Sequence, residues 1–203
     1  MHISKKKLKT KVFRNLSIPY YNVVTSNDYN YTWFKVAKNG TRSILKVLRE
    51  QDAIDMEKYD YPYFKKKHVG KFKFCVIRNP WDRLTSCYAG KVVKQKMFQE
   101  CWDKDFDYFV DFITRQDLNF CNAHFRRQTR LFPVGDIDYM ARMENYGTDI
   151  EKIMTRLGIE TEIAHLNRSN KSHYTEYYND KTIKVISELY KDDIELGKYK
   201  FGE

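Results

Sequence analysis

Glycine and proline are scarce in this chain, with 8 and 4 examples among 203 residues, which excludes collagen-like and linker-type sequences. No stretch approaches the roughly 18 uncharged apolar residues of a membrane-spanning helix. The basic residues 1–11 lead into Phe13-Arg14-Asn15 and not into an apolar run, so they are not a secretory signal. A cytoplasmic protein is therefore expected.

The cysteines lack the C-x-x-C spacing of zinc and redox sites, so we expect no metal. Thiols in a reducing compartment are the simplest interpretation. A bridge between Cys101 and Cys121 stays open at this point. The four cysteines are Cys75, Cys87, Cys101 and Cys121.

Positive charge is what the chain has in excess: 37 Lys and Arg residues face 27 acidic residues, which gives a formal charge of +10. The hydrophobic content of 42% is that of one globular domain. Such a charge indicates a negatively charged partner: a nucleic acid, a nucleotide, an acidic glycan or a membrane surface.

Strand–loop–helix units recur along the chain. Residues 31–36 are rich in aromatic and β-branched side chains and predict a strand, followed by a helix over about 42–57. Residues 72–77 contain five apolar residues among six, which predicts a strand covered on both faces. Pro80 then opens a helix that continues to about residue 97.

The second half of the chain continues the same alternation. Phe106 marks another helix, and residues 139–143 are a third candidate strand. Thr148-Asp149-Ile150-Glu151 is a capping box, which predicts a helix that ends at Gly158. A last helix is expected over about 180–191. Together these units predict an α/β fold with three α/β/α layers around a central parallel sheet, which binds ligands beyond the carboxyl ends of its strands.

The loop after the first strand has the composition of a phosphate cradle. Gly40 allows a tight turn, and the amides of the next helix start face an anion. Lysine and arginine add charge, and two hydroxyl groups add donors. The Walker A pattern G-x-x-x-x-G-K-[ST] is absent, which argues against a nucleotide kinase, and an N-capping turn with surface charges is the alternative. The candidate cofactor-binding residues are Lys38, Asn39, Gly40, Thr41, Arg42 and Ser43.

A second loop follows residues 72–77 and offers another anion site. Arg78 ends the strand, and Ser86 lies two turns into the following helix. A guanidinium fork and a hydroxyl can together hold a second phosphate. Arg78 and Ser86 are therefore candidate cofactor-binding residues as well.

The two loops together resemble those of the sulfotransferase superfamily, in particular the carbohydrate sulfotransferases and their short bacterial and viral relatives. The second loop matches the pattern R-[DN]-P-x-[DE]-R-L-x-S almost completely, whereas the first departs from P-K-x-G/A-x-T-S at Ala37 and Arg42. The resemblance continues with an H-x-x-x-Q segment at His124 to Gln128, and with Leu166-Asn167-Arg168-Ser169.

This resemblance implies a P-loop-NTPase-like fold in a single domain over residues 1–203. Residues 1–30 would be a basic N-terminal extension or edge, and residues 31–202 the family-like core. The implied donor is 3′-phosphoadenosine 5′-phosphosulfate (PAPS), and its product is adenosine 3′,5′-bisphosphate (PAP). The first loop would hold the 5′-phosphosulfate, the second loop the 3′-phosphate, and no metal would be needed.

Sulfuryl transfer needs charge stabilisation on the leaving group and a base for the acceptor hydroxyl. Lys38 suits the first role because an ammonium can follow charge onto the bridging oxygen. His124 is the favoured base, and Arg126, Arg127 and Gln128 beside it are candidate residues for binding the acceptor, expected to be a carbohydrate. The other candidate bases are His68, interpreted as a surface histidine near the wrong end of the sheet, and the acids Glu50, Asp55, Glu57 and Asp60.

Two other functions stay open. A catalytically degenerate family member would bind the nucleotide without turnover, a hypothesis that Arg42 and the unassigned base motivate. A basic nucleic-acid-binding module would fit the charge and the aromatic content. It would not explain the two strand-end loops, so nucleic acid is not the expected partner.

Overall fold

The computed structural model describes residues 19–160 and 173–203. The basic residues 1–14 and the Leu166-Asn167-Arg168-Ser169 segment, which the sequence singled out, lie outside the described residues. In the described ranges all four cysteines are free thiols, so no bridge joins Cys101 and Cys121.

A five-stranded sheet in the order β3-β1-β2-β4-β5 forms the centre of the fold. The strands β2, β4 and β5 run parallel, whereas β1 is antiparallel to both β2 and β3. The predicted α/β class is confirmed, but the prediction of a purely parallel sheet is wrong. The strands are β1 (Tyr20–Ser26), β2 (Tyr31–Phe34), β3 (Met56–Pro62), β4 (Phe72–Ile77) and β5 (Tyr139–Arg142).

The two antiparallel strands are the part that the sequence did not predict. A tight turn, closed by the Asn30 amide on the Asn27 carbonyl, joins β1 to β2, and so short a connection makes the strands antiparallel. Thus β1 is an inner strand, although it falls within residues 1–30. The helix expected over 42–57 ends at Glu50, and Asp52, with φ 48°, turns the chain into β3.

Six α-helices of the described residues cover both faces of the sheet. Val24 and Trp33 pack on Ile44 in one core, whereas Val23 and Phe34 pack toward Phe109 in the other, so alternate strand residues serve opposite faces. The helices are α1 (Thr41–Glu50), α2 (Pro80–Cys87), α3 (Phe106–Thr114), α4 (Tyr146–Leu157), α5 (Asp180–Leu189) and α6 (Lys191–Gly197).

The helix α2 follows β4 directly and is held at its start by Asn79. The Oδ1 of Asn79 accepts the amide of Trp81, and its Nδ2 donates to the Lys200 carbonyl over 3.1 Å. The amide of Asn79 donates to Oε1 of Glu144, just beyond β5, over 2.6 Å. These contacts bind the second loop to the next strand end and to the last residues of the fold.

The helix α4 ends as predicted but begins differently. Gly158 closes it with φ 71°. Its first residue is Tyr146, and no side chain caps it, so the predicted capping box is wrong. Asp149 is instead buried and accepts the Tyr139 hydroxyl and the amide of Arg142, at 2.9 and 2.8 Å, which ties the helix to β5.

Candidate functional site

The first loop leaves β2 through two left-handed backbone conformations. Lys38 has φ 76° and Gly40 has φ 69°. A β-carbon at position 40 would lie 2.3 Å from Cε2 of Tyr146, whose hydroxyl donates to the Gly40 carbonyl over 3.2 Å. Glycine is therefore required here both by the backbone conformation and by the ring packed against it.

Two side chains of this loop hold the loop itself. Asn39 is buried and donates from Nδ2 to the Val76 carbonyl and to Oε1 of Gln128, at 2.7 and 2.8 Å. Thr41 donates to the Val36 carbonyl over 3.2 Å. Asn39 and Thr41 therefore shape the cradle, and their contact with the cofactor stays a prediction.

The start of α1 supplies the groups that suit an anion. The backbone amides of Ser43 and Ile44 donate to the Gly40 carbonyl, whereas the amides of Thr41 and Arg42 have no partner among the described residues. Arg42 is exposed, and the buried Ser43 hydroxyl bonds to the Tyr146 hydroxyl. Charge and backbone donors therefore meet at this helix end.

Lys38 directs its ammonium group at the turn that follows α2. The chain changes there from an α-helix to a π-helix over Tyr88–Val93. The Nζ of Lys38 lies 2.8 Å from the position that a β-carbon on Gly90 would occupy. Lys91 of the same turn is half-buried and donates to Gln95 over 2.9 Å. Gly90 thus makes room for Lys38, in a type of turn that is frequent at functional sites.

Arg78 joins the two loops. Its Nε and Nη2 donate to the two carboxylate oxygens of Asp82, both at 2.7 Å, and its Nη1 donates to the Lys38 carbonyl over 3.0 Å. Since a guanidinium has five N–H groups, two remain for a ligand. Ser86, one turn beyond Asp82, is half-buried, and its hydroxyl has no partner in the part of the chain that the structure describes.

Arg83 is a buried residue of α2. Its side chain is 0% exposed. The guanidinium donates to the carbonyls of Ala37, Ala123 and Arg126, at 3.1, 2.8 and 2.8 Å. It therefore fastens the first loop to the segment that carries His124.

The positive charges of nearby residues act on the imidazole of His124. Its ring Nδ1 is 2.7 Å from Oδ1 of Asn122. Burial lowers the pKa of His124, and the positive charges of Lys91, Lys38 and Arg83 lower it further, to about 4. The imidazole is therefore neutral at pH 7, and the charge of Lys38 is one of those that keep it so.

The comparison with protein families agrees with this geometry. A model of the sulfotransferase family matches residues 20–200, a range that contains every described strand and both loops. The chain belongs to the sulfotransferase family. The resemblance predicted from the two loops is confirmed for the superfamily. Comparisons with curated proteins and with solved structures gave no match.

In this sulfotransferase, Gln128 holds the two loops together. It is buried, and its Oε1 accepts from Nδ2 of Asn39 and from the amide of Arg78, at 2.8 and 3.0 Å. Its Nε2 donates to the Arg78 carbonyl, and its own amide donates to Asp193 over 2.7 Å. Gln128 therefore lies inside the fold, and its contact with the acceptor stays a prediction.

The two arginines before Gln128 are also engaged with the backbone. Arg126 donates from Nε and Nη2 to the Cys121 carbonyl, at 2.9 and 2.7 Å. Arg127 donates from Nε to the Leu189 carbonyl at the end of α5, over 2.8 Å. Both guanidinium groups therefore contribute to the fold, and their contact with an acidic sugar stays a prediction.

The acidic candidate bases lie at the end of α1, just before β3 and on β3. Asp55 accepts the Ser26 hydroxyl at the end of β1, which is the amino edge of β2 because the two strands are antiparallel. Glu57 pairs with Lys35 and with Arg49. Glu50 is exposed at the end of α1, and Asp60 belongs to the outer strand β3.

His68 is buried, so its interpretation as a surface histidine is wrong. Its side chain is 4% exposed, and Nδ1 is 2.9 Å from the Thr32 hydroxyl. Thr32 lies toward the start of β2, away from the loop end, as the sequence predicted for this histidine. Burial and the charges of Lys71 and Lys73 lower the pKa of His68.

Several residues of this site were not predicted. Gly90 and Lys91 carry no motif, because only the packing of the π turn brings them to Lys38. Asn122 had a usable signal, since an asparagine two residues before His124 can accept its amide in an Asx turn.

The described residues contain no cluster of three or more His, Cys, Asp or Glu side chains that could hold a metal ion. In the same ranges, every helix is too short or too polar to cross a membrane.

Proposed function

We propose that this protein transfers a sulfuryl group from PAPS to a hydroxyl group of a carbohydrate. The observation that carries the proposal is a cationic and a neutral nitrogen near an anion cradle: Arg83 joins the first loop to the segment that carries His124, and the charge of Lys38 acts on the neutral imidazole. Membership of the sulfotransferase family supports sulfuryl transfer, and the loop motifs support this donor.

The 5′-phosphosulfate fits the first loop in charge and in donor geometry. The amides of Thr41 and Arg42, for which residues 19–160 and 173–203 supply no partner, lie at the helix start, and the exposed guanidinium of Arg42 adds a charge. The ammonium group of Lys38 is held at the same loop by the left-handed backbone of its own residue. These groups suit an anion whose bridging oxygen gains charge as the reaction proceeds.

The 3′-phosphate fits the second loop, where Arg78 keeps two N–H groups and Ser86 keeps its hydroxyl. Because Asp82 already neutralises the guanidinium, we expect directed hydrogen bonds to contribute more here than net charge. The Asp82 carboxylate also fixes the plane of the guanidinium before the nucleotide arrives.

Lys38 and His124 divide the chemistry between them. The acceptor oxygen bonds to sulfur while the bond from sulfur to the bridging oxygen breaks, and the electron pair of that bond stays on the 5′-phosphate. Lys38 stabilises this charge. Nε2 of His124 takes the hydroxyl proton, so the products are a sulfate ester, PAP and a protonated imidazole.

Donor binding would also adjust the base. A pKa of about 4 keeps His124 neutral but makes it a weak base. The negative charges of the donor would offset those of Lys38 and Lys91 and raise the pKa of His124 back toward 6.5. The base would then be strongest in the complex that reacts.

Transfer of radiolabelled sulfate from PAPS to a panel of glycans, phenols and peptides tests this function. We expect labelled glycan, and we expect His124→Ala to lower kcat by about 10²–10⁴-fold and to remove the acidic limb of the pH–rate profile. PAP binding without transfer to any acceptor would instead support the degenerate, nucleotide-binding alternative. Labelling confined to phenols or peptides would overturn the carbohydrate assignment, and RNA binding without PAP binding would overturn the proposal as a whole.

A further inference from the structure

The ring of His124 is held from one side by Asn122. The Oδ1 of Asn122 accepts the backbone amide of His124 at 3.0 Å, and the same atom is 2.7 Å from ring Nδ1. The amide contact identifies this atom as the oxygen of the side chain, because a backbone N–H needs an acceptor. An amide oxygen cannot donate, so the hydrogen of this bond belongs to Nδ1.

The other ring nitrogen is left for chemistry. In a neutral imidazole with its hydrogen on Nδ1, the lone pair is on Nε2. Nε2 makes no hydrogen bond to any atom of residues 19–160 or 173–203. Lys38, Lys91 and Arg83 are the charged groups that act on the ring, and all three oppose a second proton in the unliganded protein.

We infer that Asn122 is a positioning residue that fixes His124 in the Nδ1–H tautomer and so presents Nε2 to the acceptor hydroxyl. The use of Nε2 in catalysis rests on the proposed function, whereas the tautomer is a property of the chain alone. When Nε2 takes a proton, the bond from Nδ1 to Asn122 becomes charge-assisted and stronger. Asn122 therefore also supports the protonated ring.

Long-range ¹H–¹⁵N NMR of the imidazole groups tests the tautomer without any substrate. In the wild-type protein at neutral pH, we expect protonated Nδ1 and unprotonated Nε2 at His124. Asn122→Ala should move the hydrogen to Nε2, and Asn122→Asp, which keeps an acceptor oxygen, should retain it on Nδ1. His173, whose Nδ1 is 2.8 Å from the Thr175 hydroxyl, is the internal control and should not change in either variant.

Activity supplies the second readout. Asn122→Ala should lower kcat by about 10–100-fold, as loss of an orienting partner does elsewhere, with little change in the KM for PAPS. Asn122→Asp should recover most of that loss. A wild-type His124 with its hydrogen on Nε2, or a tautomer that Asn122→Ala leaves unchanged, would overturn the inference. If the tautomers behave as expected but the wild-type protein transfers no sulfate, the proposed function fails and the role of Asn122 in the tautomer stands.

Discussion

The ammonium group of Lys38 occupies the space into which a side chain at Gly90 would project, with Nζ 2.8 Å from the place of its β-carbon. A β-carbon does not approach another atom so closely, and one of the two groups would have to move. The loop that carries the charge and the π turn that makes room for it therefore depend on each other.

A methyl group at position 90 should disturb transfer more than folding. Gly90→Ala would push the Lys38 ammonium from the bridging oxygen, and a displacement of about 1 Å can cost up to about 10²-fold in kcat. Gly135→Ala is the matched control, because a β-carbon there meets no described atom within 4 Å. Steady-state kinetics and thermal unfolding of both variants test this, and equal kcat values would contradict it.

Two substitutions of Lys38 separate its charge from its backbone. Lys38→Ala and Lys38→Gly both remove the ammonium, and both should lower kcat by about 10²–10³-fold. Only glycine relieves the left-handed conformation at φ 76°, so Lys38→Gly should be more stable than Lys38→Ala by roughly 1 kcal/mol. Urea unfolding compares the pair. If Lys38→Ala is the more stable variant, the residue is not strained.

Arg78 should distinguish nucleotides by their 3′-phosphate. We expect Arg78→Ala to weaken PAP binding by roughly 1.5–3 kcal/mol, the value of hydrogen bonds to a charged group, and to change binding of the 5′-monophosphate little. Calorimetric titration of both nucleotides measures the difference. Arg78→Ala also releases Asp82 and the Lys38 carbonyl, so its folded state is checked by circular dichroism. Equal losses for both nucleotides would place the 3′-phosphate elsewhere.

Gln128 should matter for stability. Gln128→Ala removes the hydrogen bonds that Gln128 makes with the side-chain amide of Asn39, the backbone amide of Arg78 and the Arg78 carbonyl. A single buried polar group that loses its partner costs about 1–3 kcal/mol. We therefore expect the free energy of unfolding to fall by at least about 1 kcal/mol. Gln99→Ala, at an exposed position, is the control. If Gln128→Ala leaves the stability unchanged and raises the KM for the acceptor, the result would instead support a contact between Gln128 and the acceptor.

The buried His68 should make the protein less stable in mild acid. Burial, Lys71 and Lys73 lower its pKa in the folded state, so the unfolded chain binds more protons as the pH falls below about 6.5. The contribution of the neutral His68 to the free energy of unfolding is therefore complete above that pH. Below it, this contribution decreases by up to about 1.4 kcal/mol per pH unit. His68→Gln should flatten the dependence of unfolding free energy on pH between 7.5 and 5, and the exposed His173→Gln should not. An unchanged slope in His68→Gln would refute this.

Among the strands, the sequence predicted most closely the one whose two faces are both buried. Phe72–Ile77 has the expected bounds because an inner parallel strand needs apolar residues on both sides. Tyr20–Ser26 mixes tyrosine, asparagine and serine next to a basic segment, so its place inside the sheet was not apparent. Met56–Pro62 is a polar edge strand. The helix predicted over about 42–57 includes its first residues, and no element was predicted for the others.

The candidate site was predictable in its residue types more than in its contacts. Lys38 and His124 have side chains of the types that sulfuryl transfer needs, and Arg83 connects the segments that carry them. A sequence does not tell a side chain that faces a ligand from one that faces a backbone carbonyl. Gln128, Arg126 and Arg127 satisfy carbonyls or amides of distant segments, and only the folded chain reveals such partners.

The contacts of Asn79 and Gln128 with the end of the fold have a consequence for synthesis. Asp193 follows Gln128 by 65 residues, and Lys200 follows Asn79 by 121 residues. A ribosome that adds about 5–20 residues per second would expose the second loop roughly ten seconds before its last partner is made. A nascent chain would therefore complete the contacts of the second loop, and with them the proposed nucleotide site, only after residues 193–200 have emerged from the ribosome.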